Sequence, residues 1–587
     1  MNEQKNLLLA IIFSVAIMLG WQAYFGEKPS PTPKKEASNT TNPTKGVNSD
    51  IPPAPGTIAK SSELPALGQT NSNSKTNDQT NILNASPRIK INSPKLTGSI
   101  SLKGALFDDL TLIGYKETIE ADSKNVKLLA PVNGNSGYLA TLGWWSNSQS
   151  KIPNKDTIWK ANKNTLSPEN PVTLSWANSD GVVFQKVISL DDNYMFTVRK
   201  RVLNKSSQSI SLKPYDRIVR YSTPDTLGFY ILHEGLLGVF NGVLKEVDYD
   251  DLQEAGTYLV MPEKSKGGWI GITDKYWLTA IIPNQKVEVQ PRFAGFGKNL
   301  DNYQADFTGT TVNVPSGNSQ ETVTKFFAGA KEVNLVVNYR DKLKISRFDL
   351  AIDWGWFEWL TKPLFFALDY FNNILGNMGL SILLLTVIIK LIFFPLANTS
   401  YKAMAKMKAL QPEMLKIRER FGEDRAKMNQ EMMALYKREK ANPASGCLPI
   451  LPQIPVFFAL YKVVYVTIEL RHAPFFGWIK DLSAADPLTF VNLFGLINWT
   501  PPEYLVIGIW PIIMGATMYF QQKLNPPPPD PTQAKIFMFL PFIFTIMLAR
   551  FPSGLVIYWA WNNALSILQQ YLIMRKAGVP IGGGKKT

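Results

Sequence analysis

Lys390 is the residue in this chain whose setting most demands a chemical explanation. It stands inside Ser381-Ile-Leu-Leu-Leu-Thr-Val-Ile-Ile-Lys-Leu-Ile-Phe-Phe-Pro-Leu396, with apolar residues on both sides. A cation at mid-bilayer costs about 2.5–3.5 kcal/mol on insertion scales, so it should face a wet cavity or a partner rather than lipid. The competing reading is a lysine that snorkels to the headgroups, because Pro395 and Asn398-Thr399 follow about two turns later. Thr386 lies one turn before it on the same helical face. Gln453, in Leu448-Pro-Ile-Leu-Pro-Gln-Ile-Pro455, and the pair Asn562-Asn563 are further polar groups that could share the cavity. Amides in membrane helices often serve only to join helices. No Asp or Glu falls in the middle of these runs, which leaves Lys390 without an internal counter-ion.

Other chemistries find no residues to carry them. The single cysteine, Cys447, permits no intramolecular disulfide and no Cys-based zinc site. The histidines are His233 and His472; His233-Glu234 opens like a zinc-protease HExxH, but the second histidine's place is taken by Leu237. The terminal Gly-Gly-Gly-Lys-Lys-Thr lacks Walker A spacing, and Ser553 in Phe551-Pro-Ser-Gly554 has no base within the apolar runs. The expectation is therefore a non-enzyme with no metal site and no cofactor.

The elements that would position Lys390 belong to the C-terminal half. Residues 379–396, 448–468, 504–520, 536–549 and 554–574 read as five membrane spans, several of them short or proline-bearing. Asn6–Phe25 is a sixth, read as an uncleaved anchor within 1–25. Residues 26–86, rich in Pro, Ser, Thr, Asn and Lys, cannot bury enough surface to order themselves and read as a disordered tether. Residues 87–345 carry β-branched and aromatic runs (Val172–Trp176, Val182–Ile188, Tyr194–Val202) separated by Asn178-Ser-Asp-Gly181 and Asp191-Asp-Asn193, which predicts an antiparallel β-sandwich. Residues 346–376 crowd Trp354, Trp356 and Trp359 among charges and read as a helix lying in the interface plane.

Charge orients these pieces. The chain holds 62 Lys+Arg against 47 Asp+Glu, a formal net charge of +15. Residues 397–446 concentrate Lys402, Lys406, Arg418, Arg420 and Arg425 with other basic residues, and 575–587 form a basic tail. The stretch 469–503 has only Arg471 and Lys480. By the positive-inside rule both termini and the 397–446 loop are cytoplasmic and the β-domain lies outside. Within the loop, alternating charge broken at Phe421-Gly422 predicts a helical hairpin. Met404, Met407, Met432 and neighbouring methionines would add a soft surface suited to docking; a merely solvated hairpin is the bland alternative.

Asn442-Pro-Ala-Ser-Gly-Cys-Leu-Pro449, Gln453-Ile-Pro455 and Leu460-Tyr461 together resemble the signature of the YidC/Oxa/Alb membrane-protein insertases. Ile389-Lys-Leu-Ile-Phe-Phe-Pro395, Gln430-Glu-Met-Met-Ala-Leu-Tyr436 and Phe551-Pro-Ser-Gly-Leu555 are similar as well, in the family's order and across the whole chain of the Gram-negative layout. The resemblance implies a β-supersandwich outside the membrane and a five-span core. It also implies a hydrophilic groove, open to cytoplasm and lipid, holding one positive residue. That residue falls on Lys390, where the family usually has Arg, and other contact positions fall on Thr386 and on Tyr558-Trp559, whose second member is typically Tyr. The implied function is an insertase and chaperone of the bacterial inner membrane. Its implied partners are nascent membrane proteins, lipids, the Sec translocon (SecYEG, SecDF), and the ribosome or signal recognition particle pathway, with no nucleic-acid sequence recognition. A polytopic transporter or channel is the alternative, but neither inverted repeats nor paired intramembrane carboxylates are visible.

Overall fold

The computed structural model describes residues 79–146, 151–226, 232–255, 259–260, 263–297, 301–422, 424–439, 451–497, 499, 502, 506–525 and 531–576. The anchor at 1–25, nearly all of the tether, the motif at 442–449 and the tail beyond 576 lie outside the described residues. The tether reading ends too late, because α1 (Gln79–Asn84) is a helical turn and a half. Its Ile82 and Leu83 are half-buried, and the Ser86 hydroxyl lies 3.0 Å from that of Ser101, so the chain is already committed to the domain.

Two sheets, one of twelve strands and one of nine, build the region from Arg88 to Ala330, antiparallel throughout except where Arg88–Asn92 pairs parallel with Thr165–Leu166. The strand Val182–Leu190 alternates buried and half-buried residues without a break, the period-2 pattern of a strand with one face in the core. It pairs antiparallel with Val172–Ala177 and Met195–Asn204. The turns are set by side chains: Asn178 Oδ1 accepts from Asp180 and Val182 N–H with Gly181 at φ +86°, and Asp191 Oδ1 accepts from Asn193 and Met195 N–H. Between the sheets Lys200 Nζ meets Asp216 Oδ2 at 2.6 Å, both side chains fully buried. Asp216 also accepts from Gly143 N–H at 2.9 Å and Thr324 Oγ1 at 2.8 Å. A short helix, α2 (Tyr249–Ala255), interrupts the strands, and α3 (Val333–Lys342) closes the sandwich.

The helix expected over 346–376 is shorter than its sequence suggests. Trp354 is buried and donates from Nε1 to Asp349 O at 3.1 Å, so it belongs to the core of the domain. The helix, α4 (Glu358–Leu375), starts later and has two unlike faces. Thr361, Leu364, Phe365 and Leu368 are buried, while Trp359, Phe366, Tyr370 and Ile374 form an exposed stripe at helical spacing.

The remaining helices are α5 (Met378–Ile392), α6 (Phe394–Ala409), α7 (Gln411–Phe421), α8 (Arg425–Arg438), α9 (Gln453–Val466), α10 (Ile509–Leu524), α11 (Pro531–Met547) and α12 (Ser553–Lys576). Among the described residues no single helix is both long and apolar enough to cross a membrane, though α5 and α6 pass together as a pair bent by 67°. The apolar run 379–396 is therefore not one straight helix to Leu396: Pro395 sits in the first turn of α6 and the bend falls at Phe393. The six-span count is not given by helix length. Most helices are too short, and α12 mixes Asn562, Asn563, Gln569 and Gln570 into its apolar surface.

Candidate functional site

α12 is the hub of the helical part. Trp561 Nε1 donates to Leu383 O in α5 at 3.2 Å, Asn562 Nδ2 to Gln453 Oε1 in α9 at 3.4 Å, and Asn563 Nδ2 to Thr517 Oγ1 in α10 at 3.4 Å. Gln570 Nε2 adds a bond to Asn525 Oδ1 at 3.1 Å, just past α10. Polar side chains thus join four helices where apolar contact alone discriminates poorly between packings.

Lys390 occupies the last turn of α5, one turn before the bend, and is only 7% exposed. Its Nζ donates to Ser566 Oγ at 2.6 Å, and the Ser566 hydroxyl in turn donates to Asn562 O at 2.8 Å. Among the described residues no carboxylate pairs with this ammonium. The snorkelling alternative does not describe this geometry, since the head is turned inward onto α12. Ser566 carried no signal in the sequence beyond being a serine in an apolar helix.

The expected cavity residues divide into two groups. Lys390, Ser566, Asn562 and Gln453 follow one another through hydrogen bonds, and Tyr558 lies on the same face of α12 as Asn562 and Ser566, at spacings of four. Thr386 is buried beside this row, but its hydroxyl donates to Ile382 O at 2.7 Å within its own helix. Asn563 points the other way, to α10, and so acts as a helix joiner rather than a partner of Lys390. Trp559 packs edge-on against Phe457 at 4.7 Å and against Phe544 at 5.6 Å.

Polarity is segregated along the helices. Gln453, Asn562, Ser566 and Lys390 gather toward one end, where α9 begins and α5 finishes. Toward the other end Tyr461 packs on Phe551 at 5.5 Å and on Tyr465 at 5.8 Å, an aromatic layer. Lys275 of the β-domain sits 3.9 Å above the Tyr465 ring. Lys462, a charge inside a run read as a span, reaches Asp353 Oδ2 at 2.7 Å, and the same Oδ2 accepts from His233 N–H at 3.3 Å. The aromatic end is therefore the end held by the β-domain.

The hairpin corrects one expectation. Met404 packs with Ala397, Tyr401 and Ile573, and Met407 and Met432 form a small core with Tyr436, so all three are buried and none offers the soft outer surface anticipated for them. The reason is geometric: α7 and α8 lie against each other, tied by Arg438 to Glu413 at 2.7 Å, with Met407 and Met432 at their seam, while Met404 of α6 faces Ile573 of α12. Lys402, Lys406, Arg418 and Arg420 remain exposed; α8 begins at Arg425, whose side chain lies outside what is described. Among the described residues no His, Cys, Asp and Glu cluster could hold a metal. Ser553 spends its hydroxyl on Asp481 O at 2.9 Å.

Comparison with known proteins covers both halves. Residues 88–367 match the YidC periplasmic domain and residues 370–579 match the 60Kd inner membrane protein family. Proteins named membrane protein insertase YidC are similar along their length. That of Methylorubrum extorquens (strain PA1) is 47% identical over 606 residues, covering 99% of this chain and 96% of the relative. That of Mesorhizobium japonicum is 47% identical over 598 residues, covering 99% and 97%. Among solved structures, an active YidC insertase with its first transmembrane domain resolved overlaps 83% of this chain and 93% of its own, at 17% identity and a TM-score of 0.37.

Proposed function

The chain belongs to the YidC family of membrane protein insertases, and on that premise we propose how it works. It is a membrane protein insertase of the inner membrane with a periplasmic β-sandwich domain, and its substrates are nascent membrane proteins. The observation that carries the mechanism is the inward-turned Lys390, whose one partner among the described residues is a neutral hydroxyl at 2.6 Å. An ammonium whose charge is not cancelled attracts an acidic residue of an incoming tail, and the polar row from Lys390 to Gln453 offers that tail donors and acceptors in place of water. The aromatic layer at Tyr461, Tyr465 and Phe551 keeps the far end shut. Burial of the client helix in lipid supplies the driving force, so no nucleotide and no covalent step are needed.

The finer reading has six spans with both termini and the 397–446 hairpin in the cytoplasm. α4 lies in the interface through its exposed Trp359, Phe366, Tyr370 and Ile374 stripe. The exposed lysines and arginines of the hairpin suit an acidic or phosphate-bearing partner such as the ribosome or the targeting pathway, and cooperation with the Sec translocon belongs to the same proposal. The test is reconstitution of the purified chain in liposomes with a short single-span client. The expected result is protease-protected client in proportion to reconstituted protein, without nucleotide. Protection equal to that of empty liposomes overturns the insertase mechanism.

A further inference from the structure

A cleft in the β-sandwich lies apart from everything the insertion mechanism uses. Its lining includes Thr141, Gly143, Trp144, Lys155, Lys186 and Arg217, three cations with no Asp or Glu among the lining residues. Lys186 comes from the strand Val182–Leu190, whose alternation turns this lysine inward, and it is 4% exposed. Its Nζ stands 4.8 Å from the centre of the Trp159 ring and 6.0 Å from that of Trp144. Ring faces stabilise an ammonium but provide no acceptor lone pair of the strength a buried cation requires. The nearby carboxylate, Asp216, is already committed to Lys200, Gly143 N–H and the Thr324 hydroxyl. A second polar atom is stranded in the same cleft, since Thr141 Oγ1 is buried and has no hydrogen-bond partner.

Burial pushes the Lys186 ammonium down to about 7, with Lys200 adding repulsion and Asp216 opposing it. A buried cation costs free energy unless an anion joins it. The cleft leaves about 40 Å³ for the centres of water-sized groups, space for about three or four waters. That accommodates one planar oxyanion head. We propose that the cleft is a carboxylate-binding site, with Lys186 Nζ as counter-ion and the Thr141 hydroxyl as a further donor. The carboxylate belongs either to a small free acid or to the end of a polypeptide, and the same chemistry receives both.

Saturation-transfer NMR on the full chain in nanodiscs at pH 6 tests the site, with acetate as the free acid. A short peptide with a free C-terminal carboxylate, and the same peptide amidated, form the other arm. Acetate signal that saturates, and falls at least tenfold in Lys186→Met, supports the site. Competition by the free-acid peptide but not by its amide assigns the polypeptide source, and absence of competition assigns the small acid. Thr141→Val keeps the side-chain shape and should weaken acetate severalfold, which preserves the test if Lys186→Met does not fold. No saturable transfer to wild type, transfer unchanged in the variants, or inorganic phosphate displacing acetate at equal concentration overturns the proposal.

Discussion

Lys390 and Ser566 form an asymmetric pair. The hydroxyl gives the ammonium one acceptor and no negative charge, and hydrogen bonds to charged groups contribute about 1.5–3 kcal/mol. That suffices to hold the side chain against α12 while leaving its charge for a client. Lys390→Ala should therefore lower insertion of clients with acidic translocated tails on the order of tenfold and change neutral-tailed clients little. Lys390→Arg should be tolerated, because it keeps the charge and has donors to spare for Ser566. Lys390→Glu should be worst for acidic tails, since like charges meet where screening is weak. Protease protection in liposomes reads all three. If Lys390→Ala lowers acidic and neutral clients alike, the ammonium serves packing and the charge-pairing mechanism fails.

At the scale of elements the junction between α3 and the end of α9 carries the most testable chemistry. Glu469 Oε1 accepts from Val333 N–H at 2.7 Å, capping α3, while Oε2 is buried without a partner. Burial pushes this carboxyl up to about 7, with Glu332 and Asp369 adding repulsion and the Val333 N–H opposing. A folded-state value above the ordinary 4.5 means the native protein binds this proton more tightly than the unfolded chain. Stability should then fall as pH rises from about 4.5 to about 7 and stay reduced above, by at most about 3 kcal/mol. Glu469→Gln keeps an acceptor for Val333 and removes the buried charge. It should raise the melting temperature of the nanodisc-embedded protein at pH 8 and leave it nearly unchanged at pH 5; equal shifts at both pH values would show that the charge is already compensated. The strands of the sandwich were legible because Val172–Ala177, Val182–Leu190 and Met195–Asn204 bury one face each and their turns carry Asn or Asp acceptors. The helices were less so. Trp354 looks interfacial beside Trp356 and Trp359 until the fold places it on Asp349, and a Met-rich seam has the same composition as a Met-rich surface. Ser566 and Lys462 acquire meaning only from partners far away in sequence.

For the whole molecule, two independent asymmetries agree. Along the helices the polar row from Lys390 to Gln453 lies at one end, and the aromatic layer, gripped by Lys275 and by the Lys462–Asp353 pair, lies at the end that carries the β-domain. Along the chain the basic residues of 397–446 flank the polar end, while 469–503, with Arg471 and Lys480 alone, belongs to the aromatic end. Arg471 itself is spent on the β-domain, donating to Lys116 O at 2.6 Å and lying over the Tyr276 and Trp277 rings. A cation used in this way has a structural duty, so it weighs less against an outer location than a free one would. The proposed orientation follows, with the polar end toward the cytoplasm and the β-domain outside. Protease added to spheroplasts should digest the β-domain between residues 88 and 330 and leave a protected fragment that contains the 397–446 hairpin, detected by antibodies to each part. In inverted vesicles the same protease should cut the hairpin at its exposed Lys402, Lys406, Arg418 and Arg420 and spare the β-domain. The opposite pattern in either preparation would place Lys390 at the wrong end of the polar row to receive a tail from the cytoplasm.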